Sequence, residues 1–574
     1  MFQQRPPKAP ITLSNGTILD PFVQKLLEQR GVTGKDSVIE FLEPKLSELP
    51  SPFLMKDMDL AVNIAIKAMD AGSQILIWGD YDVDGTTATA LLLKFFKSLG
   101  YKADFYIPNR LTEGYGLEKN ILERITTRDN HREKLLITVD NGISAYEAVL
   151  HAKSLGYQTI ITDHHTPPED RVPADAVVNP KQKDCNFPDK NMAGVGLAFY
   201  FAMGIRSKLN QSGFFDESCQ LPNLKILLDL VGVGTVADMV PLTGVNRTLV
   251  KAGMETMAQK TNKGLEALCR RTNIDCTFVR SEDIAFQIAP KINAAGRLGK
   301  AEKAVYLLLS EKKKEAEEIA EDLINTNKQR ININIGQLDK ALDEISSCAI
   351  NTKYSTIVAG TYHIGVAGIV ASNLVDKFNK PSIVLCNQGD TLFKGSARSI
   401  PGVNLYDALD VCKKALIGYG GHKMAAGMSL DTRNINKFAK LFDEAVYAQN
   451  KGKYDKVQVE SDADITVARL FTKKLLAQIH LMEPFGQANP QLIFRDTKTS
   501  LKELSQIGKD KNHLRLSFVC GNSTIKGIGF GLGDLKDKCK TNKEKEFFYT
   551  PSINFFRGKR SWQVRVTNIA FPGD

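Results

Sequence analysis

The chain has 574 residues, of which 43% are hydrophobic and 24% charged, with a net charge of +10. That length allows three or four domains of ordinary size, and the balance is that of a globular protein, not a disordered one. No run of about 18 apolar residues is present, which excludes a membrane-spanning helix, and Met1-Phe-Gln-Gln-Arg-Pro-Pro lacks the apolar core of a signal peptide.

The nine cysteines are scattered, and the closest pair, Cys269 and Cys276, has no metal-ligand spacing. Reduced thiols in a cytoplasmic protein are the expectation. Positive charge is concentrated in residues 451–574, which carry 22 Lys and Arg against 13 Asp and Glu, whereas the preceding 450 residues net only +1. Such a segment suits a polyanionic partner, with a solubilising surface as the alternative.

Residues 1–50 mix short helical stretches with Pro44 and Pro50 and read as an N-terminal cap without assignable chemistry. From 51 to 245 strands alternate with helices. Apolar runs at 75–78, 103–107, 135–139, 159–162 and 176–178 are separated by helical stretches at 86–99, 118–126 and 145–155. This alternation predicts a mostly parallel sheet covered on both faces, with ligands gathered at the carboxyl ends of its strands.

Those ends carry the chemistry. The first run leads into Asp80-Tyr-Asp82-Val-Asp84-Gly85, the third into Asp140-Asn-Gly, and the fourth into Asp163-His164-His165. Acids so closely spaced repel one another unless cations lie between them. A fourth candidate motif is the apolar run from Leu227 that ends at Asp238; Asp229, nearer its start, is the alternative.

Residues 246–349 read as a helical region with a connecting helix. Lys300 to Leu309 forms one helix, and Ser310 is placed to cap the next, Glu311 to Ile345, whose apolar positions include Leu323, Leu338 and Leu342. A second α/β domain follows at 350–450, with strands at 356–359 and 382–386. Glycine-rich turns are expected at Gly365, Gly368 and Gly420–Gly421, suited to close approach of a phosphate. His363 reads as a structural loop histidine.

Residues 451–574 change to short alternating strands, as in 514–518, 524–528 and 562–567, and predict a small β-barrel. Phe518, Phe530, Phe555, Phe556 and Trp562 are interleaved there with Lys526, Arg557, Lys559, Arg560 and Arg565, a mix that suits base stacking with phosphate tracking.

The acidic motifs at 80–85, 140–142 and 163–165, with Gly234-Thr-Val-Ala-Asp238, resemble the ordered motifs of the DHH phosphoesterase superfamily. Ile292-Asn-Ala-Ala-Gly-Arg-Leu-Gly299, Gly395-Ser-Ala-Arg-Ser399 and Gly420-Gly-His-Lys-Met-Ala-Ala-Gly427 extend the likeness to its RecJ branch, the single-strand-specific exonucleases. The resemblance implies a parallel-sheet DHH domain, a long helix, a second α/β (DHHA1) domain and a C-terminal OB-type barrel. It also implies hydrolysis of single-stranded DNA from the 5′ end to mononucleotides in repair and recombination, by a monomer, with a helicase and a single-strand-binding protein as candidate partners. A phosphodiesterase for short oligonucleotides or cyclic dinucleotides is the alternative, and a silent binding scaffold a third.

For residues, the resemblance implies two Mn2+ or Mg2+ ions held by Asp82, Asp84, Asp140, His164 and Asp238, with Asp140 bridging them. Many members carry a histidine four residues before Asp82; here Trp78 stands there, and Asp80 is the nearest substitute, as ligand or as orienter of a water. His165 would face the scissile phosphate, with Arg297 and His422 neutralising its charge. Arg110, Ser396 and Arg398 would hold a 5′-phosphate, and Tyr115 would stack on the terminal base.

Overall fold

Strands buried on both faces need apolar residues at successive positions. In β1 (Gln74–Trp78), Ile75 and Ile77 enter one core layer while Leu76 and Trp78 enter the other. With β2 (Ala103–Tyr106), β3 (Lys134–Val139), β4 (Tyr157–Thr162) and β5 (Ala176–Val178) it forms a sheet of order β2-β1-β3-β4-β5, parallel throughout. The helix Val83–Ser98 covers one face, and Lys119–Ile125 with Tyr146–Ser154 the other. The computed structural model describes residues 10–126, 133–217, 219–347, 350–453, 460–541, 544–556 and 558–572. Arg557 and residues 1–9 of the expectations above lie outside them.

The helical region is no separate body. Helices Gly244–Ala258, Lys263–Arg271, Ala289–Arg297 and Glu302–Leu309 bury Val250, Leu268, Ile292 and Leu308 in the same core as β1. The 34-residue helix Lys313–Ser346, about 50 Å long, then leaves this core. Leu323 packs in the first core and Leu338 and Leu342 against the next, so the apolar positions read from the sequence do bridge two cores. Ser310 does not cap it: Lys312 is the N-cap, and Ser310 Oγ donates back to Tyr306 O at 2.9 Å, ending the preceding helix.

The second sheet contains β6 (Thr356–Gly360), β7 (Ser382–Asn387), β8 (Leu392–Arg398), β9 (Gly418–Gly421) and β10 (Ala425–Asp431), in the order β6-β7-β8-β10-β9. Only β6 and β7 run parallel. Gly365 and Gly368 are not turn residues. They lie in the first turns of the helix Ile364–Phe378, whose N-cap His363 accepts the Gly365 N–H through Nδ1 at 3.1 Å. Gly420 and Gly421 likewise belong to edge strand β9, because residues 418–421 pair with β10.

The third sheet holds β11 (Ala463–Asp464), β12 (Phe494–Asp496), β13 (Leu501–Ile507), β14 (His513–Cys520), β15 (Ser523–Gly529), β16 (Glu546–Phe556) and β17 (Lys559–Ala570). Their order is β11-β12-β16-β17-β15-β14-β13. The N-terminal helices cap this sheet, and Leu46 and Leu49 after them reach the first core. Leu19, Val23, Leu26, Leu27, Val38 and Leu42 share a core with Val467, Phe494, Phe518 and Tyr549.

One buried side chain ties these distant pieces together. Arg247 donates to Phe41 O through Nε at 2.7 Å and to Glu483 O through Nη2 at 2.8 Å, with longer bonds to the carbonyls of Leu481, Met482 and Pro484. Its guanidinium lies 3.6 Å from the centre of the Phe41 ring. Among the described residues no helix is long and apolar enough to cross a membrane, and the eight cysteines are free thiols.

Candidate metal centre and nucleic-acid cleft

The sheet delivers its acids to one place because every strand of it points the same way. After β1 the chain turns into the helix Val83–Ser98. Asp82 is its N-cap, accepting the Gly85 N–H through Oδ1 at 3.0 Å. Gly85 is required by close approach: a Cβ there would lie 2.6 Å from the backbone N and O of Asp80. Asp84 turns inward and accepts the N–H groups of Gly194 at 2.6 Å and Val195 at 2.8 Å, at the start of the helix Gly194–Gln211. Asp140, just beyond β3, has a φ of +62°, a left-handed conformation that Asp tolerates better than most residues.

Three groups of donors result. Asp80, Asp82 and Asp140 bring one carboxylate oxygen each within 4.8 Å of one another; so do Asp84, His164 and Asp238, and so do Asp140, His164 and His165. Asp140 and His164 thus link neighbouring groups. His164 Nε2 lies 3.1 Å from Asp140 Oδ1 and 3.5 Å from Asp238 Oδ2. Yet these three buried atoms make no hydrogen bond among the described residues. Buried polar atoms converging without partners need a cation to satisfy them. Carboxylate oxygens with one imidazole suit Mn2+ or Mg2+.

The electrostatics agree. Burial and then the Asp82 charge raise the Asp84 pKa to about 7, and burial with Asp84 and Asp82 raises that of Asp238 to about 9. Asp80 and Asp140 are also raised well above the usual carboxylate range, chiefly by burial and then by neighbouring acids. Burial, helped by His165, lowers His164 to about 3 and keeps it a neutral donor. Each shift favours the form that a cation would either displace or use.

Asp238 joins the cluster, and Asp229 does not. The apolar run before Asp238 is the helix Leu228–Ala237, with Asp238 at its C-terminal end. Asp229 sits a helix length away, accepting the Leu230 N–H at 2.7 Å and the Thr261 hydroxyl at 3.3 Å. Trp78 is not a vacant ligand position. Its side chain is fully buried, packs tilted against the Tyr106 ring at 4.9 Å and donates Nε1–H to Gly116 O at 3.1 Å, so it belongs to the far layer. Asp80 therefore stands in the cluster on its own account.

Around the acids stand the groups that could hold a strand. His165 is the half-exposed member. Asp163 Oδ1 lies 2.7 Å from its Nδ1, and although burial would lower its pKa, the bond to Asp163 and that residue's charge raise it. Tyr115, also half exposed, meets His165 edge-on at 6.3 Å and Tyr81 at 6.1 Å. Arg110 lies over the Tyr81 ring at 5.0 Å. Arg297 donates to Gly365 O at 3.1 Å, and Arg398 to Ser396 Oγ at 3.2 Å. Burial and then the charges of Arg110, Arg330 and Arg398 lower the Arg297 pKa to about 10, so four guanidinium groups from both α/β layers and the long helix converge. Beside the acid cluster, but with no carboxylate ion pair among the described residues, these like charges make an anion site. His422 is exposed at the tip of the β9–β10 hairpin, its N–H donating to Ala425 O.

Sequence reasoning missed Lys181 and Arg330. Lys181 follows β5 and carries its charge close to Asp163 and Asp238. The strand-end rule applied to the fifth strand would have found it. Arg330 lies in the middle of the long helix, where no local motif marks it. Conversely, two cations read as phosphate contacts are engaged elsewhere: Arg560 pairs with Asp275 and Arg565 with Glu282, holding the barrel to the helical region. Phe518 is a core residue, whereas Phe530 and Phe556 are exposed.

A parallel sheet with acids at its strand ends, a second α/β layer and a convergent arginine site define a phosphoesterase of the DHH class. The description "DHH family, N-terminal domain" matches residues 74–235, "DHHA1 domain" residues 351–448 and "RecJ OB domain" residues 461–568. The chain belongs to the RecJ family. The single-stranded-DNA-specific exonuclease RecJ of Escherichia coli is 35% identical over 564 residues, covering 96% of each chain. That of Bacillus subtilis is 33% identical over 99% of this chain and 70% of its own. The crystal structure of Thermus thermophilus RecJ with Mn2+ superposes with a TM-score of 0.75 at 28% identity, covering 98% of this chain and 80% of that one.

Proposed function

We propose that the chain is a metal-dependent exonuclease that removes mononucleotides from the 5′ end of single-stranded DNA. The observation that carries this reading is the adjacency of the two sites: the acid cluster and the four-arginine site share the Asp80–Tyr81 turn, through Asp80 on one side and the Arg110–Tyr81 contact on the other. An exonuclease needs such an arrangement, because the strand end must be gripped one nucleotide from the bond that is cut.

Two divalent ions held by Asp80, Asp82, Asp84, Asp140, His164 and Asp238 would supply hydroxide at neutral pH and polarise the phosphate. The chain's own groups do the rest. Asp163 holds His165 in one orientation, leaving its other ring nitrogen for the scissile phosphate. Arg297 and Lys181 offset charge on either side of the cleft, and His422 could close on the backbone from the hairpin. Arg110, Ser396 and Arg398 fork onto a terminal phosphate dianion, with Tyr115 against the end base. The net-positive barrel favours long strands over dinucleotides. Work in the cytoplasm on repair and recombination intermediates, as a monomer beside a helicase and a single-strand-binding protein, completes the reading.

Incubation of the protein and Mn2+ with 5′- or 3′-labelled oligonucleotides tests it. The 5′ label is expected to leave first as a mononucleotide, and Arg398→Ala to lower the preference for a 5′-phosphorylated over a 5′-hydroxyl end by about tenfold or more. Loss from the 3′ end, or an unchanged preference, would count against the polarity and the grip respectively.

A further inference from the structure

One continuous helical rod runs from the acid cluster to the barrel side. Helical segments Ser281–Asp283, Ile284–Ile288 and Ala289–Arg297 run on without a break, about 25 Å in all. The far end is fixed to the barrel side: Ser281 Oγ donates to Phe485 O at 2.6 Å and Glu282 pairs with Arg565. The near end abuts the acidic turn. A Cβ on Gly296 would lie 2.2 Å from Tyr81 O, so glycine is needed for the rod to touch the cleft.

The middle of the rod is irregular. Residues 284–288 form a turn of π-helix, a distortion that costs backbone hydrogen-bond geometry and recurs at functional sites. Phe286 stands on it 69% exposed. A single exposed aromatic needs no explanation by itself, but its neighbours do. One and a half turns on, half-buried Lys291 donates to Gln287 Oε1 at 3.2 Å. Its helix packs on the long helix, where Arg330 carries a charge that Lys291 feels and has a buried Nε with no hydrogen-bond partner among the described residues. Neither cation pairs with a carboxylate among the described residues. Gln287 in turn lines a cavity of about 190 Å³ shared with Phe555 and Arg560 of the barrel.

We propose that this rod is the track for the strand between the cleft and the barrel, with Phe286 stacking on a base and Lys291 and Arg330 holding phosphates. The proposal rests on the exonuclease reading for its ligand, single-stranded DNA; Phe286 and Lys291 lie outside the metal and end-gripping sites, and Arg330 joins the track to the four-arginine site. Direct recognition of sequence is not expected, since one ring and two cations read any base and any backbone.

Equilibrium binding of a fluorescein-labelled strand of about 30 nucleotides, without added divalent metal, reads the track apart from turnover. Phe286→Ala is expected to weaken binding about tenfold and Phe286→Tyr to leave it unchanged. Lys291→Ala should flatten the slope of log affinity against log salt by about 0.7. With Mn2+, Phe286→Ala should raise KM by a similar factor at constant kcat. Unchanged affinity and slope, or a Tyr variant as weak as Ala, would overturn the track. A wild-type protein that binds the strand but never shortens it would instead overturn the exonuclease reading.

Discussion

Asp140→Asn is expected to lower turnover on single-stranded DNA by about a thousandfold or more while leaving the metal-free protein more stable than wild type. Asp140 is the one acid shared between donor groups, so losing a carboxylate oxygen there weakens both candidate cation positions at once. The stability effect has the opposite sign because the cluster is unfavourable without metal. Asp84 and Asp238, with folded pKa values of about 7 and about 9, hold protons that an unfolded aspartate releases near pH 4. The folded state thus binds more protons than the unfolded one, and stability falls as pH rises from about 4 through about 9. Asp140, raised in the same direction, contributes to that fall. Thermal denaturation in chelator at pH 6 and pH 9 should show a smaller drop for Asp140→Asn than for wild type. A larger drop, or appreciable residual turnover, would contradict the shared role.

Arg247→Met should cost about 3 kcal/mol, felt first by the N-terminal segment. Methionine fills a similar length but donates nothing, and the carbonyls of Phe41 and of residues 481–484 would be left buried without their partner. Burial holds the guanidinium pKa down at about 9, which measures how little water reaches it. Hydrogen exchange in the helices Pro21–Gln29 and Lys35–Leu42 is the appropriate readout, since it reports local opening where a single melting temperature would not. Unchanged protection in both helices would show that the hydrophobic contacts alone hold the segment.

The contrast between these two residues marks what the sequence can and cannot reveal. The acid cluster was legible because a parallel sheet gathers its strand ends whatever the loop lengths. Acids immediately after apolar runs at Trp78, Val139 and Thr162 were bound to meet. Trp78 itself misled only when its position was read without its face: alternation along β1 already places it with Leu76, away from Ile77 and the helix that carries Asp84. Arg247 and the N-terminal helices were not legible. Their partners lie more than 200 and 400 residues away, and an amphipathic face does not encode which apolar surface will cover it. Charge behaved likewise. The excess at 451–574 was plain, but whether Arg560 and Arg565 meet phosphate or Asp275 and Glu282 depends on domain placement, which composition does not contain. At Ser310 two local rules competed, and the hydroxyl ended one helix where it was expected to begin the next.

The central claim is that six side chains delivered by three strand ends and one helix end hold two divalent ions around Asp140. Anomalous diffraction from crystals grown with Mn2+ tests it most directly. Two manganese peaks about 3.5–4 Å apart are predicted, one beside Asp80 and Asp82, the other beside Asp84, His164 and Asp238, with the Asp140 carboxylate between them. A single peak, or peaks that leave Asp140 unligated, would contradict the account.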